Sequence, residues 1–171
     1  MVTANADDAA RMTDALAEAV PQSVRTYLDR VQHILDQVAL REDGDDLLAI
    51  KLAPDMFDTG FNFAIAIQFA ARALCPPARM DVPEIPDTFT CATLRVFQRV
   101  VADLIAPIRA SDLRHEVTHV AGEAKLTQDP ASYVMLFALP NMIFHLSLAY
   151  AGLRHGGMQI GKADFDGLHV Y

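Results

Sequence analysis

PASYVMLFALPNMIFHLSLAYAGL, residues 130–153, is a run of twenty-four positions without Asp, Glu, Lys or Arg, and how it is read decides the fold. On length alone it could cross about 30 Å of hydrocarbon. Three features argue otherwise. Pro140, Asn141 and His145 lie in its middle, where unpaired polar groups are costly in lipid. No second run of that length occurs in the chain. A segment apolar nearly all round, Met56 to Leu74, is available to bury it. The run is therefore expected to fold as a core helix, Tyr133 to Leu153, that has another helix as its solvent.

The remaining elements follow from periodicity. Pro21 suits a first helical position, and Val24, Tyr27, Leu28, Val31, Ile34, Leu35 and Val38 recur at three- and four-residue steps as far as Leu40. Arg41-Glu42-Asp43-Gly44 reads as the loop that ends this helix, with Gly44 a capping glycine. Asp45 or Asp46 can cap a short turn before Pro54, after which the second helix runs from Met56 and stops ahead of Cys75-Pro76-Pro77. Arg79 to Asp87 reads as a crossover loop, and Thr88 or Thr90 can cap a third helix with the stripe Leu94, Phe97, Val100, Val101, Leu104 and Ile105. Arg114 to Thr127 alternates about Gly122-Glu123 as a small hairpin does. The fold expected is all-α, an antiparallel four-helix bundle with a small β-hairpin between helices three and four. Residues 1–19 are expected as a weakly structured N-terminal extension, frayed or one weak helix, residues 20–171 as a single domain, and Gly156 to Tyr171 as an irregular arm that packs back.

Composition narrows the function. The chain of 171 residues carries 14 Lys plus Arg against 22 Asp plus Glu, a net charge of −8, which disfavours nucleic acid and anionic membrane surfaces as partners. Hydrophobic residues make up 52% and charged ones 21%, which excludes a disordered chain. Cys75 and Cys91 are too few for a disulfide scaffold and too far apart for a Cys-x-x-Cys pair, and read as buried apolar thiols. Asp7 and Asp8 stand where a secretory signal would be basic and then apolar, so the cytoplasm is the expected compartment. No glycine-rich phosphate loop and no Gly-x-Ser-x-Gly elbow occurs.

Two constellations could carry chemistry. His115-Glu116-Val117-Thr118-His119 fits H-E-x-x-H, which on a helix places two imidazoles to hold zinc and a glutamate to activate water. Val117, Thr118, Val120 and Gly122 favour a strand instead, and the third-ligand position of the longer zinc motif is Lys125. A zinc peptidase using His115, Glu116 and His119 is the alternative function. The other constellation is Asn141 and His145, four residues apart on one face of the fourth helix. Unpaired, such groups cost about 1–3 kcal/mol, so partners are expected among Asp55, Asp58, Asn62 and Gln68 on the second helix. The simplest outcome is an internal hydrogen-bond network that fixes helix register, with Asn141 satisfying backbone freed by Pro140. Met56, Met135 and Met142 read as core filler, and His33 as a surface residue of the first helix.

LAPDMF (52–57), LPNMIFH (139–145), AYAGLRHGG (149–157) and GKADF (161–165) together resemble a bacterial domain-of-unknown-function family, the one numbered nineteen ninety-three, over about Val20 to Leu168. That family is grouped with the DinB/YfiT-like metalloenzymes, four-helix bundles with a long crossover. The resemblance implies a cavity between helices two and four, with Asp55, Asn141 and His145 on family motif positions, and places the HEVTH segment in a hairpin. DinB-like metal sites use three histidines, one on the second helix and two on the last. Here Asn141 precedes His145, and the second helix offers Asp55 or Asn62 but no histidine.

The expected protein is therefore a DinB-like bundle that binds a small molecule, or a divalent metal (Zn, Ni or Mn) through His145 and Asp55, in a pocket lined by Asp55, Asn62, Asn141, His145 and Tyr150. His115 and His119 are the alternative metal ligands, and a non-catalytic homodimer is the alternative to any ligand site.

Overall fold

The computed structural model describes residues 6–170, with side chains from Thr13 onward. Four long helices make the core: α1 (Ala6–Val38), α3 (Thr59–Leu74), α4 (Cys91–Ile105) and α6 (Leu139–His155), with short helices α2 (Gly44–Leu48), α5 (Pro130–Ser132) and α7 (Lys162–Asp166) at their joints. A two-stranded antiparallel hairpin, β1 (Val117–Ala121) and β2 (Ala124–Gln128), lies between α4 and α5, with His119 opposite Leu126. The chain is thus mostly helical with one hairpin, as its periodicity predicts.

α3 is the central element and touches α1, α4 and α6. That position explains why it is apolar nearly all round: Phe63, Ala64, Ala66, Ile67, Ala70, Ala71, Ala73 and Leu74 are wholly buried. Asp58 caps its start by accepting the Phe61 amide (2.7 Å), three residues later than a helix restarting at Met56 would begin. The widest contact in the fold is α3 against α6. It is close because Gly152 faces Thr59, where a Cβ would lie 2.1 Å from Oγ1. That hydroxyl donates to Ile50 O (2.9 Å), so it cannot simply rotate away without losing a hydrogen bond.

The apolar run of residues 130–153 is one continuous helical stretch, Pro130–His155, long and apolar enough to span a membrane by length and composition. About a third of its most apolar window is buried inside the fold, chiefly against α3. Asp129 caps the stretch by accepting the Ser132 amide (3.0 Å). Between α5 and α6 the backbone widens into a π-helical turn, Tyr133–Ala138. Pro140 is the cause on hand: it has no N–H to return to the preceding turn, so the ladder shifts to longer spacing.

Three local expectations are corrected. The first helix begins at Ala6 rather than Pro21, which lies inside it; the carbonyl that Pro21 leaves without a donor belongs to Ala17, exposed to water. Of the expected extension, residues 1–5 lie outside the described ones. Asp45 does not cap α2; its carboxylate accepts the Cys91 amide (2.8 Å) and so helps start α4, where Thr90 also caps Thr93 (3.2 Å). Cys75 is buried as expected, whereas Cys91 is half-buried and donates to Leu35 O (3.3 Å).

The C-terminal arm packs back through a helix that its composition did not suggest. Asp164 at the third position of α7 accepts the Gly161 amide through Oδ2 (2.7 Å), and its Oδ1 lies 2.8 Å from both His33 Nε2 and Gln37 Nε2 of α1. His33 is therefore a clasp residue and not simply a surface one. Phe165 is gripped edge-on by Tyr27 and Tyr150 at 6.0 and 5.7 Å. Burial opposes the charge on Asp164, but the Gly161, His33 and Gln37 contacts outweigh it and hold the carboxyl down at about 2. A carboxylate depressed in the fold stabilises above its unfolded value of 3.8 and loses that contribution as pH falls toward 2. Asp164→Asn should therefore cost about 1–3 kcal/mol at neutral pH in urea unfolding, and its gap from the parent should close below pH 3.8.

Candidate functional site

The polar centre of the α3–α6 contact is Asn62 with His145. Asn62, on the first turn of α3, is buried, and its Nδ2 donates to Phe57 O (3.2 Å) and Asp58 O (2.9 Å). Those bonds orient the amide, leaving Oδ1 as the atom 2.9 Å from His145 Nδ1. An amide oxygen only accepts, so His145 carries its proton on Nδ1 and presents Nε2 as a bare lone pair. Nε2 has no hydrogen-bond partner among the described residues. The ring stacks on Phe69 (6.1 Å, 13° between planes) and meets Phe144 edge-on (5.2 Å). Burial in these apolar surroundings pushes its pKa below the ordinary 6.5. The site thus holds a neutral imidazole of fixed tautomer.

The other expected members do not gather around it. Asn141, one turn before His145, donates its Nδ2 to Phe137 O (2.7 Å) and thereby ties down the π turn; the carbonyl four residues before Pro140 is that of Leu136, so this bond is not the one expected of it. Asp55 is exposed in the loop ahead of α3, with no hydrogen bond or ion pair among the described residues. Asp58 is the carboxylate the fold uses, as the α3 cap. Tyr150 holds the arm, its hydroxyl donating to Ile160 O (3.5 Å) beside Arg154, which donates to the same carbonyl (2.6 Å). Met142 is core, while Met135 is exposed.

A divalent metal does not fit this donor set. Asn62 and Asn141 are amides, and both use their nitrogens on backbone carbonyls. The Asn62 oxygen is taken by a proton of His145. That leaves Nε2 as the one uncommitted imidazole nitrogen of the set, and no group of three or more His, Cys, Asp or Glu able to hold a metal occurs among the described residues.

The HEVTH segment is not a helix. His115 and Glu116 lie in the loop before β1, and His119 is in mid-strand. The helical face on which a zincin would set two imidazoles is therefore not formed. His119 turns inward instead, its ring centroid 4.0 Å from that of Phe137 and 5.1 Å from that of Tyr133, while Nε2 donates to Gln128 Oε1 (2.7 Å). Its Nδ1 is buried without a partner among the described residues. The β-branched residues at 117, 118 and 120 and the turn at Gly122 (φ +60°) decide the matter locally in favour of a hairpin.

A helical scaffold with a hairpin ahead of its last long helix, and a polar pair between two apolar helices, defines the class to which this molecule is comparable. A crystal structure of a DinB family member protein from Shewanella denitrificans superposes with a TM-score of 0.77 at 22% identity, over 92% of this chain and 94% of that one. At that identity the likeness is one of fold. Residues 16–166 match the family model described as Domain of unknown function (DUF1993), and the chain belongs to that family. No match is found among curated proteins.

The state of His145 is directly measurable. Because burial disfavours its charged form, the folded chain takes up a proton there less readily than the unfolded chain, so this residue's contribution to stability is whole above pH 6.5 and falls as pH drops below it. Nitrogen-15 NMR of histidine-labelled protein should show His145 as the Nδ1–H tautomer with a midpoint below 6.5. In Asn62→Leu the tautomer preference should disappear.

Proposed function

We propose that this DUF1993 chain is a metal-free, cytoplasmic member of the DinB-like fold, its four long helices arranged as an antiparallel bundle, that binds a small molecule at the α3–α6 contact. His145 Nε2 accepts a hydrogen bond from an N–H or O–H of the ligand. The observation that carries this reading is the Asn62–His145 bond of 2.9 Å, which turns one imidazole nitrogen into a fixed donor and leaves the other as an acceptor. A family site built from three histidines would bind a cation; one imidazole flanked by two committed amides suits a neutral donor instead. Phe69 and Phe144 supply apolar walls for a planar ligand.

The test uses thermal melts of untagged protein, followed by circular dichroism, with zinc, nickel or manganese and, separately, with phenols and primary amides at millimolar concentration. The metals should leave the melting temperature unchanged. At least one organic donor should raise it in the parent and not in His145→Gln. A metal-induced rise reversed by chelator, or no organic donor acting through His145, sinks the proposal.

A second reading is favoured by one observation. Leu136 and Phe144, on the long apolar helical stretch, are 73% and 57% exposed, and Met135, next to Leu136 in sequence, is also exposed. A second copy of the chain would cover such a face, and the homodimer predicts a concentration-dependent mass in sedimentation that Leu136→Glu abolishes.

A further inference from the structure

A separate cavity of about 410 Å³ lies where the C-terminal half of α3 meets the hairpin, the π turn and the crossover loop after α3. Its walls include Gln68 and Arg72 of α3, His119 of β1, Tyr133 and Phe137 of the π turn, and Glu84 of the loop. We propose that it binds a small aromatic monocarboxylate that also carries an amine or hydroxyl donor, the carboxylate on Arg72 and the donor toward Gln68 and Glu84.

Four observations carry this. Arg72 has no ion pair and no hydrogen bond among the described residues; its guanidinium lies over the face of Phe69, 5.3 Å from the ring centroid. In a chain of net charge −8, an unpaired guanidinium at a cavity is a ready receptor for a single carboxylate, which matches its forked donors. Gln68 is nine-tenths buried; its Nε2 donates to Pro83 O (3.1 Å), leaving Oε1 without a donor among the described residues. Glu84 is likewise unpaired there, and exposed, so opposite charges line one cavity without meeting. Between them the rings of Tyr133, Phe137 and His119, clustered edge-on and tilted with centroids 4.0 to 5.7 Å apart, offer an aromatic wall. A ligand bearing both a carboxylate and a donor would pair Arg72, Gln68 Oε1 and Glu84 at once.

The probe is 3-aminobenzoate, with benzoate and aniline as its two halves, in titrations followed by protein NMR, the chain having no tryptophan. Saturable shifts should fall on α3 near Arg72, on β1 and on the π turn. Aniline, and 3-aminobenzoate against Arg72→Met, should each bind about tenfold or more weakly, the worth of a charge-assisted hydrogen bond. Glu84→Gln, at an exposed loop position that leaves the fold intact, should reduce the preference for 3-aminobenzoate over benzoate, a charged acceptor becoming a neutral one while Gln68 Oε1 remains, and keeps the test decisive if Arg72→Met fails to fold. Absence of saturable binding at millimolar probe, equal affinity in Arg72→Met, or an unchanged preference in Glu84→Gln overturns the proposal. Neither variant touches His145, so this cavity and the α3–α6 site stand or fall separately.

Discussion

The close approach of α6 to α3 governs the rest of the molecule. Gly152 stands where any side chain would collide with Thr59, whose hydroxyl is already committed to Ile50. Close packing at that point fixes the relative height of the two helices. Two turns back along α6 from Gly152, the same register brings His145 to the first turn of α3 and sets its Nδ1 against Asn62. A slide of one residue would part this pair and bury both polar groups unpaired, at a cost of about 1–3 kcal/mol for each. The apolar contact supplies affinity between the helices, and the small residue and the polar pair choose the register.

That constraint also explains why the long apolar run behaves as it does. Its hydropathy alone is compatible with lipid, yet the face turned to α3 carries Met142, Leu146, Ala149 and Leu153, all wholly buried in protein. The π turn ahead of it belongs to the same solution. Pro140 removes a donor, the turn widens, and Asn141 returns a side-chain hydrogen bond to Phe137 O, so irregular backbone is stabilised where it is half-buried. Widening the turn also turns Tyr133 and Phe137 toward β1, where they meet His119.

Much of this was legible in the sequence, for identifiable reasons. Helical stripes such as Val24 to Val38, the Thr90 cap and the strand-like alternation of Val117 to Ala121 are local signals, and local physics decides those elements. The pairing of His145 with a polar residue of the second helix was legible because buried polar groups must find partners. Which partner was not, since Asp55, Asp58 and Asn62 lie within one or two turns of each other and only the capping role of Asp58 and the burial of Asn62 separate them. The roles of His33, Asp164 and Tyr150 were hidden for a different reason. They arise from contacts between α1, α6 and the arm that are far apart in sequence, and the arm's glycines obscured a five-residue helix whose cap is a backbone amide and a carboxylate three residues on. The signal that could have found them is GKADF itself, a glycine followed three residues later by an aspartate, which is a capping pattern.

The Asn62–His145 pair finally bears on how an imidazole is held in one tautomer by the protein itself. A histidine that ligates a metal keeps its second nitrogen for an outer hydrogen bond, and the metal fixes which nitrogen that is. Here an amide does the fixing from within the protein. Because Asn62 Nδ2 is held by the Phe57 and Asp58 carbonyls at the start of α3, the amide cannot turn over to offer a donor to the ring. The tautomer of His145 is thus dictated by the backbone geometry of a helix start, one bond removed. Its aromatic neighbours reinforce the choice, since Phe69 and Phe144 lower the local polarity and disfavour the imidazolium. Phe69 in turn carries Arg72 on its face and packs edge-on against Phe137 at 5.8 Å, so one ring is shared between the neutral imidazole and the wall of the charged cavity. Phe69 thus lies between an uncharged acceptor nitrogen at the helix contact and a guanidinium beside the hairpin that has no ion pair among the described residues.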